Sequence, residues 1–484
     1  MKKTYFRRIA ILLIWLVLWQ LASAAIHNKI IFVGPWETAC ALVSQVHTTE
    51  FWRTILSSFL RIAGGFLAAF LTGILAAALA GRYALLKEFL EPPVALLQSV
   101  PVASFVILAL IWIGSENLSV LITLLVVFPV IYRNVLEGIS QTDPKMLEMA
   151  RVFRMKSRNR LWYIYRPALM PYLLAGSRIS LGMAWKSGVA AEVIGVPDCS
   201  IGEKLYMAKI YLSTADLFAW TFVIIAVSRL FEWLFLSGLG LLSRDLGQRS
   251  GTDPGKKDRA DGKNGYSERR RISPGWKVKT ADKAGHPVQI GHIQKSYRDN
   301  PVLTGESLVL EPGGKYCLMG PSGQGKTTLL RLMMGLEDPD GGQITGITEN
   351  RISTVFQEDR LCEYLDSVDN CRIVCGKQGF SADPESLCRA LLGEEAVHRP
   401  VRELSGGMKR RAAIARALAV RSDLILMDEP FTGLDEDTKR RVIGIVSSHL
   451  QGRTLLVVTH QREDAELLEA QVLQLKRTDI IIHN

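Results

Sequence analysis

Two strings hold the residues whose types and spacing could do chemistry. The first, GPSGQGKTT at 320–328, fits G-x-x-x-x-G-K-[ST], follows the apolar run 316–319 and opens a helical stretch, TTLLRLMMGL. Glycines at this spacing let successive backbone N–H groups wrap phosphate oxygens at a helix N-terminus. Gly320, Pro321, Ser322, Gly323, Gln324, Gly325 and Thr328 form such a cradle. Lys326 is spaced to reach the β- and γ-phosphates, and the Thr327 hydroxyl to ligate Mg²⁺. The second string, LILMDEP at 424–430, ends an apolar strand in Asp428, suited to holding Mg²⁺ largely through water. Glu429 follows at once, placed to polarise an attacking water as general base. The chemistry these residues fit is Mg²⁺-assisted hydrolysis of ATP.

The elements that must position them follow an α/β pattern from residue 286 onward. Short apolar strands at 316–319, 424–427 and 454–458 each run into a motif at their C-terminal ends, where ligands bind in parallel α/β sheets. The first half is different. Apolar runs at 9–26, 54–80, 94–113, 118–136, 171–195 and 216–240 are long enough to cross a bilayer core of roughly 30 Å. The expectation is an all-α membrane domain of six transmembrane helices over 1–245. A flexible basic linker at 246–285 and an α/β nucleotide domain at 286–484 follow it.

Charge gives an orientation. Segment 137–170 carries Lys145, Arg151, Arg154, Lys156, Arg158, Arg160 and Arg166, and Arg82 and Lys87 lie between the second and third runs. The other loops are sparsely basic, so the positive-inside bias puts the N-terminus and the nucleotide domain in the cytosol of a multi-pass protein of the cell membrane. An Ala22-Ser23-Ala24 string after the first apolar run resembles a signal-peptidase site. Cleavage there would strand the nucleotide domain away from ATP, so the first helix is read as retained. The net charge of +11 is explained by these loops and the linker, and no aromatic-interleaved basic surface points to nucleic acid. Within 250–285 ten Lys/Arg stand against five Asp/Glu with almost no apolar residues, the composition of a solvated tether. The seven cysteines are scattered; Cys371 and Cys375 lack a second Cys/His pair at zinc spacing.

The second half resembles the ATP-binding cassette family over the whole of 286–484. LSGGM at 404–408 is similar to the family signature and is followed by KRRAAIARAL. The resemblance implies that Leu404, Ser405, Gly406, Gly407 and Met408 of one copy cap ATP held by the cradle of another, so the working unit is a homodimer. It implies that Gln357, in VFQED, senses Mg²⁺ and the attacking water, and that His460, ending TLLVVTH, holds the γ-phosphate. Asp435, in GLDE, matches the loop that communicates across the dimer. Tyr297 lies where the family stacks an aromatic ring on adenine.

A second resemblance lies in EMARVFRMKSRNRLWYIYRP at 148–167, similar to the coupling loop of importer permeases. Glu148, Ala150, Ile164 and Pro167 fall at the family spacing, while Met149, Arg154 and Arg166 replace its usual Ala, Gly and Leu. A short helix ending before Pro167 is expected to seat in the cassette near Gln357. Segments 96–114 and 180–195 further resemble permeases of the nitrate, sulfonate and taurine group. Lys186 and Glu192 lie inside a span, where charges are costly and face a cavity or a partner. Lys186 is therefore a candidate for the pathway of an anionic substrate, with anchoring of the bundle as its rival.

These resemblances imply an ATP-driven importer with permease and ATPase fused, served by a separate extracytoplasmic solute-binding protein. Other readings stay open: import of a thiamine-precursor pyrimidine or riboflavin, an exporter half-transporter, or a membrane-tethered regulatory ATPase that moves nothing.

Overall fold

The computed structural model describes residues 2–26, 28, 30–244, 286–298, 300–321, 323–347, 351–375, 379–475 and 480–483. Ser322 and the linker expected at 246–285 lie outside them. The chain divides into two compact units, Met1–Thr142 with Ala168–Ser243, and Asp143–Pro167 with Arg244–Asn484. Segment 143–167, expected within the membrane domain, thus packs with the nucleotide-binding half.

The first unit is helical. In chain order its helices are α1 Lys2–Ile26, α2 Pro35–Val46, α3 Thr49–Arg82, α4 Ala84–Ser99, α5 Val102–Ile113 and α6 Leu118–Ser140. After α7 Pro144–Val152 and α8 Ser157–Arg160 come α9 Arg166–Gly195, α10 Ile201–Ile210 and α11 Thr214–Arg244. Two of the sparsely basic stretches between the apolar runs thus hold α2 and α10. The α3–α6 pair packs closely: a Cβ on Gly65 would stand 2.6 Å from the Val120 carbonyl oxygen, so only glycine fits. Between α3 and α11, Phe66 and Phe70 interlock with Phe231 and Phe235, mostly edge to face, the geometry that aromatic quadrupoles favour.

Four described helices, α1, α3, α6 and α11, are long and apolar enough to cross a membrane. The span expected at 94–113 falls on a broken pair, α4 and α5, which are apolar enough to cross together and are bent by 106°. Pro101 causes the break: the residue before a proline is driven out of the helical region, and Val100 sits at φ −80°, ψ 132°. Helix α9 has 30 residues but is not among the apolar spans, because Arg178, Lys186 and Glu192 interrupt it. Glu192 is fully buried. It accepts from Ser58 Oγ at 2.7 Å and from the Gly202 amide at 3.3 Å, tying α9 to α3 and to the start of α10. Lys186 differs: it is exposed and makes no ion pair among the described residues.

In the second unit a six-stranded sheet runs in the order β5-β6-β7-β3-β8-β9. Its strands are β3 Lys315–Met319, β5 Ile352–Val355, β6 Leu424–Asp428, β7 Thr454–Val458, β8 Gln471–Leu475 and β9 Ile480–His483. All neighbours pair in parallel except β8 with β9. A separate antiparallel sheet holds β1 Val288–Tyr297, β2 Asn300–Leu310 and β4 Gly341–Thr345. Helices α12 Lys326–Met333, α13 Ser367–Val374, α14 Pro384–Leu392, α15 Gly406–Ala419, α16 Glu436–Ser448 and α17 Arg462–Leu468 complete the unit. Both faces of the central sheet are covered, as parallel sheets require. The two-residue period of β6 sends Leu424 and Leu426 into one apolar cluster and Ile425 and Met427 into the other.

Segment 143–167 contributes Met149, Ala150, Val152, Phe153, Met155 and Ile164 to the first of those clusters, beside Leu329, Met333 and Ile373. Asp143 caps α7, accepting from the Lys145 amide at 2.8 Å. The helix expected to end before Pro167 continues: residues 161–165 wind as a π-turn that feeds directly into α9. A proline at 167 cannot donate the i→i−4 bond to the Tyr163 carbonyl. That carbonyl accepts from the Tyr364 hydroxyl, with Cys362 Sγ 3.8 Å away.

Candidate functional site

The loop after β3 turns into α12 through Gly323 and Gly325, both at φ +84°. A Cβ at Gly325 would stand 2.8 Å from Val302 Cγ1 and 2.9 Å from Leu303 Cδ2. Gly325→Ala is therefore expected to lower stability by about 1–3 kcal/mol and to weaken ATP binding, checked by thermal unfolding and nucleotide titration. Lys326 is buried and donates to the carbonyl oxygens of Gly320 and Pro321 at 2.7 and 2.8 Å. Burial pulls its ammonium below the ordinary lysine value, while Glu429 and Asp428 oppose that.

A cavity of about 250 Å³ opens over this cradle. Gly323, Gly325, Lys326, Thr327, Thr328, Gln357, Glu429 and His460 line it, joined by Val302 and Val458. Residues up to 158 positions apart, from Val302 to His460, thus meet around one space. Asp428 ends β6 behind it, buried, with the Thr327 hydroxyl hydrogen-bonded to its carboxylate. Burial raises the Asp428 carboxyl above its ordinary range, a cost that a cation beside it would offset. Glu429 takes a left-handed backbone conformation, φ +47°, and its amide donates to the Val458 carbonyl at 2.9 Å. Its Oε1 lies 2.6 Å from His460 Nε2. A strained non-glycine residue held by a neighbouring strand is the pattern of a preorganised site.

No group of three or more His, Cys, Asp or Glu among the described residues could hold a metal by itself. The oxygen donors at hand are Thr327 and Asp428, with Gln357 across the cavity. Hard oxygen ligands in that small number suit Mg²⁺ shared with phosphate oxygens and water.

Other expected residues lie elsewhere. Tyr297 is absent from the cavity lining; its hydroxyl donates to Glu337 and bonds with the side chain of Thr328. Leu404 is buried, whereas Ser405 and Gly406 are exposed at the start of α15, where Ser405 Oγ accepts from the Met408 amide at 3.4 Å. None of Leu404, Ser405, Gly406, Gly407 and Met408 lines the cavity. Asp435 is the exposed cap of α16, accepting from the Thr438 amide at 2.9 Å, a bond that holds its carboxyl below the ordinary range.

Sequence reasoning missed a set of arginines. Glu148 receives Arg331 Nη2 at 2.7 Å and Nη1 at 3.2 Å, and Arg360 Nη1 at 2.7 Å. Arg331 projects from α12, the cradle helix, and Arg360 from the loop after Gln357. The Arg331 hydrogen bond above all holds the Glu148 carboxyl below its ordinary value. Arg410 of α15 donates to the carbonyls of Phe356 and Gln357 at 2.7 Å each. Arg416, fully buried, donates to Arg360 O at 2.6 Å and Asp359 O at 3.0 Å, with its guanidinium 5.2 Å from the Phe153 ring centre. The one hint in the sequence was a lone arginine inside the apolar TTLLRLMMGL run.

Known proteins resemble this chain in both of its halves. Residues 303–432 match the family model described as ABC transporter, and residues 69–242 match the binding-protein-dependent transport system inner membrane component. The aliphatic sulfonates import ATP-binding protein of Rhodococcus jostii is 40% identical over 196 residues, 39% of this chain and 77% of that one. The Nod factor export ATP-binding protein I of Paraburkholderia xenovorans is 35% identical over 200 residues, 37% of this chain and 65% of that one. A solved dimeric ATP-binding cassette with ADP and phosphate is 26% identical, covering 41% of this chain and 98% of its own, at a TM-score of 0.37. The chain belongs to the ABC transporter family, with a binding-protein-dependent transport permease domain and an ATP-hydrolysing cassette fused in one polypeptide.

Proposed function

We propose that this transporter imports a small oxyanion of the nitrate, sulfonate and taurine class, delivered by an extracytoplasmic solute-binding protein. The observation that carries this reading is the docking of Glu148 on Arg331 and Arg360, which joins an importer-type loop to the cradle helix. The sulfonate-import relative and the exposed Lys186 cation on α9 support an anionic substrate. The working unit is a homodimer with two composite ATP sites, because the 404–408 signature lies outside the cavity of its own chain. The domains are a membrane permease at 1–245 and a cassette at 286–484 joined by the linker, with the N-terminus and cassette on the cytosolic side.

In the cavity, Lys326 and the backbone amides of 323–326 bind the β- and γ-phosphates, and Tyr297, beyond the cavity lining, stacks on adenine. Mg²⁺, when bound with ATP, is held by Thr327 and Asp428 with Gln357, and supplies charge neutralisation at the phosphates. Glu429 accepts the proton of the attacking water, and His460 orients Glu429 and holds the γ-phosphate. Ser405, Gly406 and Gly407 reach the γ-phosphate of the partner chain, while Asp435 meets the opposite cassette. Closure of the cassette pair moves Glu148, Ala150, Ile164 and Pro167 with α12, and through them the spans.

Proteoliposomes with ATP on the cassette side test the direction and the substrate class together. Accumulation of a labelled alkanesulfonate that requires an added solute-binding protein is the expected result. The export name of one relative gives a second reading. Transport away from the cassette side, independent of any binding protein, would replace import with export.

A further inference from the structure

His460 is held from both sides. On one side the Thr459 hydroxyl donates to Asp464 Oδ2, and the Gln461 amide donates back to Thr459 Oγ1 at 3.1 Å. On the other side the Gln461 side-chain oxygen accepts from Lys439 Nζ. The same Lys439 Nζ lies 2.7 Å from Asp464 Oδ1, and the two side chains are only 2% and 4% exposed. Lys439 thus stands at the junction of both flanks of the histidine. It comes from α16, one turn beyond the exposed cap Asp435, whose carbonyl accepts from the Lys439 amide at 2.8 Å.

A buried ion pair is a poor way to gain stability, since an apolar pair of similar volume does as well. Its distinguishing property here is reach. The lysine stem spans from the first turn of α16 to acceptors on both sides of one histidine, and a displaced α16 carries that histidine with it. We propose that Lys439, with Asp464, is a positioning residue that sets His460 against Glu429 and makes that setting depend on how the Asp435 cap of α16 is engaged. The inference rests on reading His460 as the residue that orients Glu429.

The test uses the full-length protein in lipid nanodiscs, with ATP turnover, KM for ATP and thermal unfolding measured on each variant. Lys439→Met leaves Asp464 uncompensated and is expected to lower Tm as well as kcat. The paired variant Lys439→Met/Asp464→Leu removes the buried charge and is expected to regain Tm while kcat stays roughly tenfold or more below the parent, with KM within about twofold. Lys439→Arg, which keeps the reach and the charge, is expected to return kcat to within about threefold. Gln461→Ala cuts one flank without disturbing the pair, and lowers kcat about threefold or more at unchanged Tm. A paired variant that regains both Tm and kcat, or a Gln461→Ala variant at parental kcat, overturns the proposal. His460→Ala separates the two levels. If it keeps the parental kcat, the reading of His460 fails; if it is inactive while the paired variant is fully active, only the positioning role fails.

Discussion

Glu429→Gln is expected to lower ATP turnover by about 10²–10³-fold, the share that a positioned general base supplies. The amide keeps the shape of the carboxylate and its place 2.6 Å from His460 but cannot take a proton from water. Nothing in the phosphate cradle changes, so KM for ATP should stay within a few-fold of the parent. Phosphate release and nucleotide titration on the same preparation separate these outcomes, and transport should stop with hydrolysis. A variant that retains more than about a tenth of parental turnover would show that Glu429 is not the base. The strained backbone at φ +47° sharpens the expectation, because substitution at Glu429 leaves that conformation intact and alters only the side chain.

The second large effect is expected at Glu148. Its carboxylate is 25% exposed and compensates Arg331 and Arg360, which are 26% and 11% exposed. Glu148→Ala leaves two part-buried guanidinium groups with a lost charge-assisted partner, a loss of about 1.5–3 kcal/mol. Arg331 keeps Glu337, so the cradle helix stays anchored on its far side. Hydrolysis should therefore persist while solute uptake falls at least about tenfold, the signature of uncoupling. Paired measurement of ATPase rate and uptake in proteoliposomes checks it; equal loss of both would mean that Glu148 only stabilises the fold. The triad also has a pH signature. The folded carboxyl titrates below its ordinary 4.5, so its contribution to stability is fully present above that pH and disappears as pH falls through the folded value. Between pH 6 and 8 it gives no slope.

The cradle, the strand carrying Asp428 and Glu429, and the histidine after β7 were legible because each is a local string. A short apolar strand followed by a turn specifies its own geometry, so 316–319, 424–427 and 454–458 fell within one residue of β3, β6 and β7. The membrane half was less legible. Apolar length suggested a continuous span at 94–113, and the effect of Pro101 on Val100 was outweighed by the hydropathy around it. Pro167 was misread for the opposite reason, since a π-turn and the Tyr364 hydroxyl absorb what a proline normally breaks. The arginines were the least legible, with Arg331 inside its apolar run as the one hint. Arg331, Arg360, Arg410 and Arg416 acquire their partners only when segments as far apart as Glu148 and Arg331 meet in the folded unit.

One consequence concerns the join between the two halves. The polypeptide enters the cassette unit twice, first as 143–167 and again after 285, and leaves it in between to build α9, α10 and α11. The first visit deposits Met149, Phe153 and Ile164 in an apolar core that the cassette strands complete. A chain severed within 246–285 would still have that first visit buried in the cassette. The 246–285 stretch is thus a further covalent tie between units that the chain already joins on either side of 143–167. What it adds is stoichiometry: every permease is made with one ATPase.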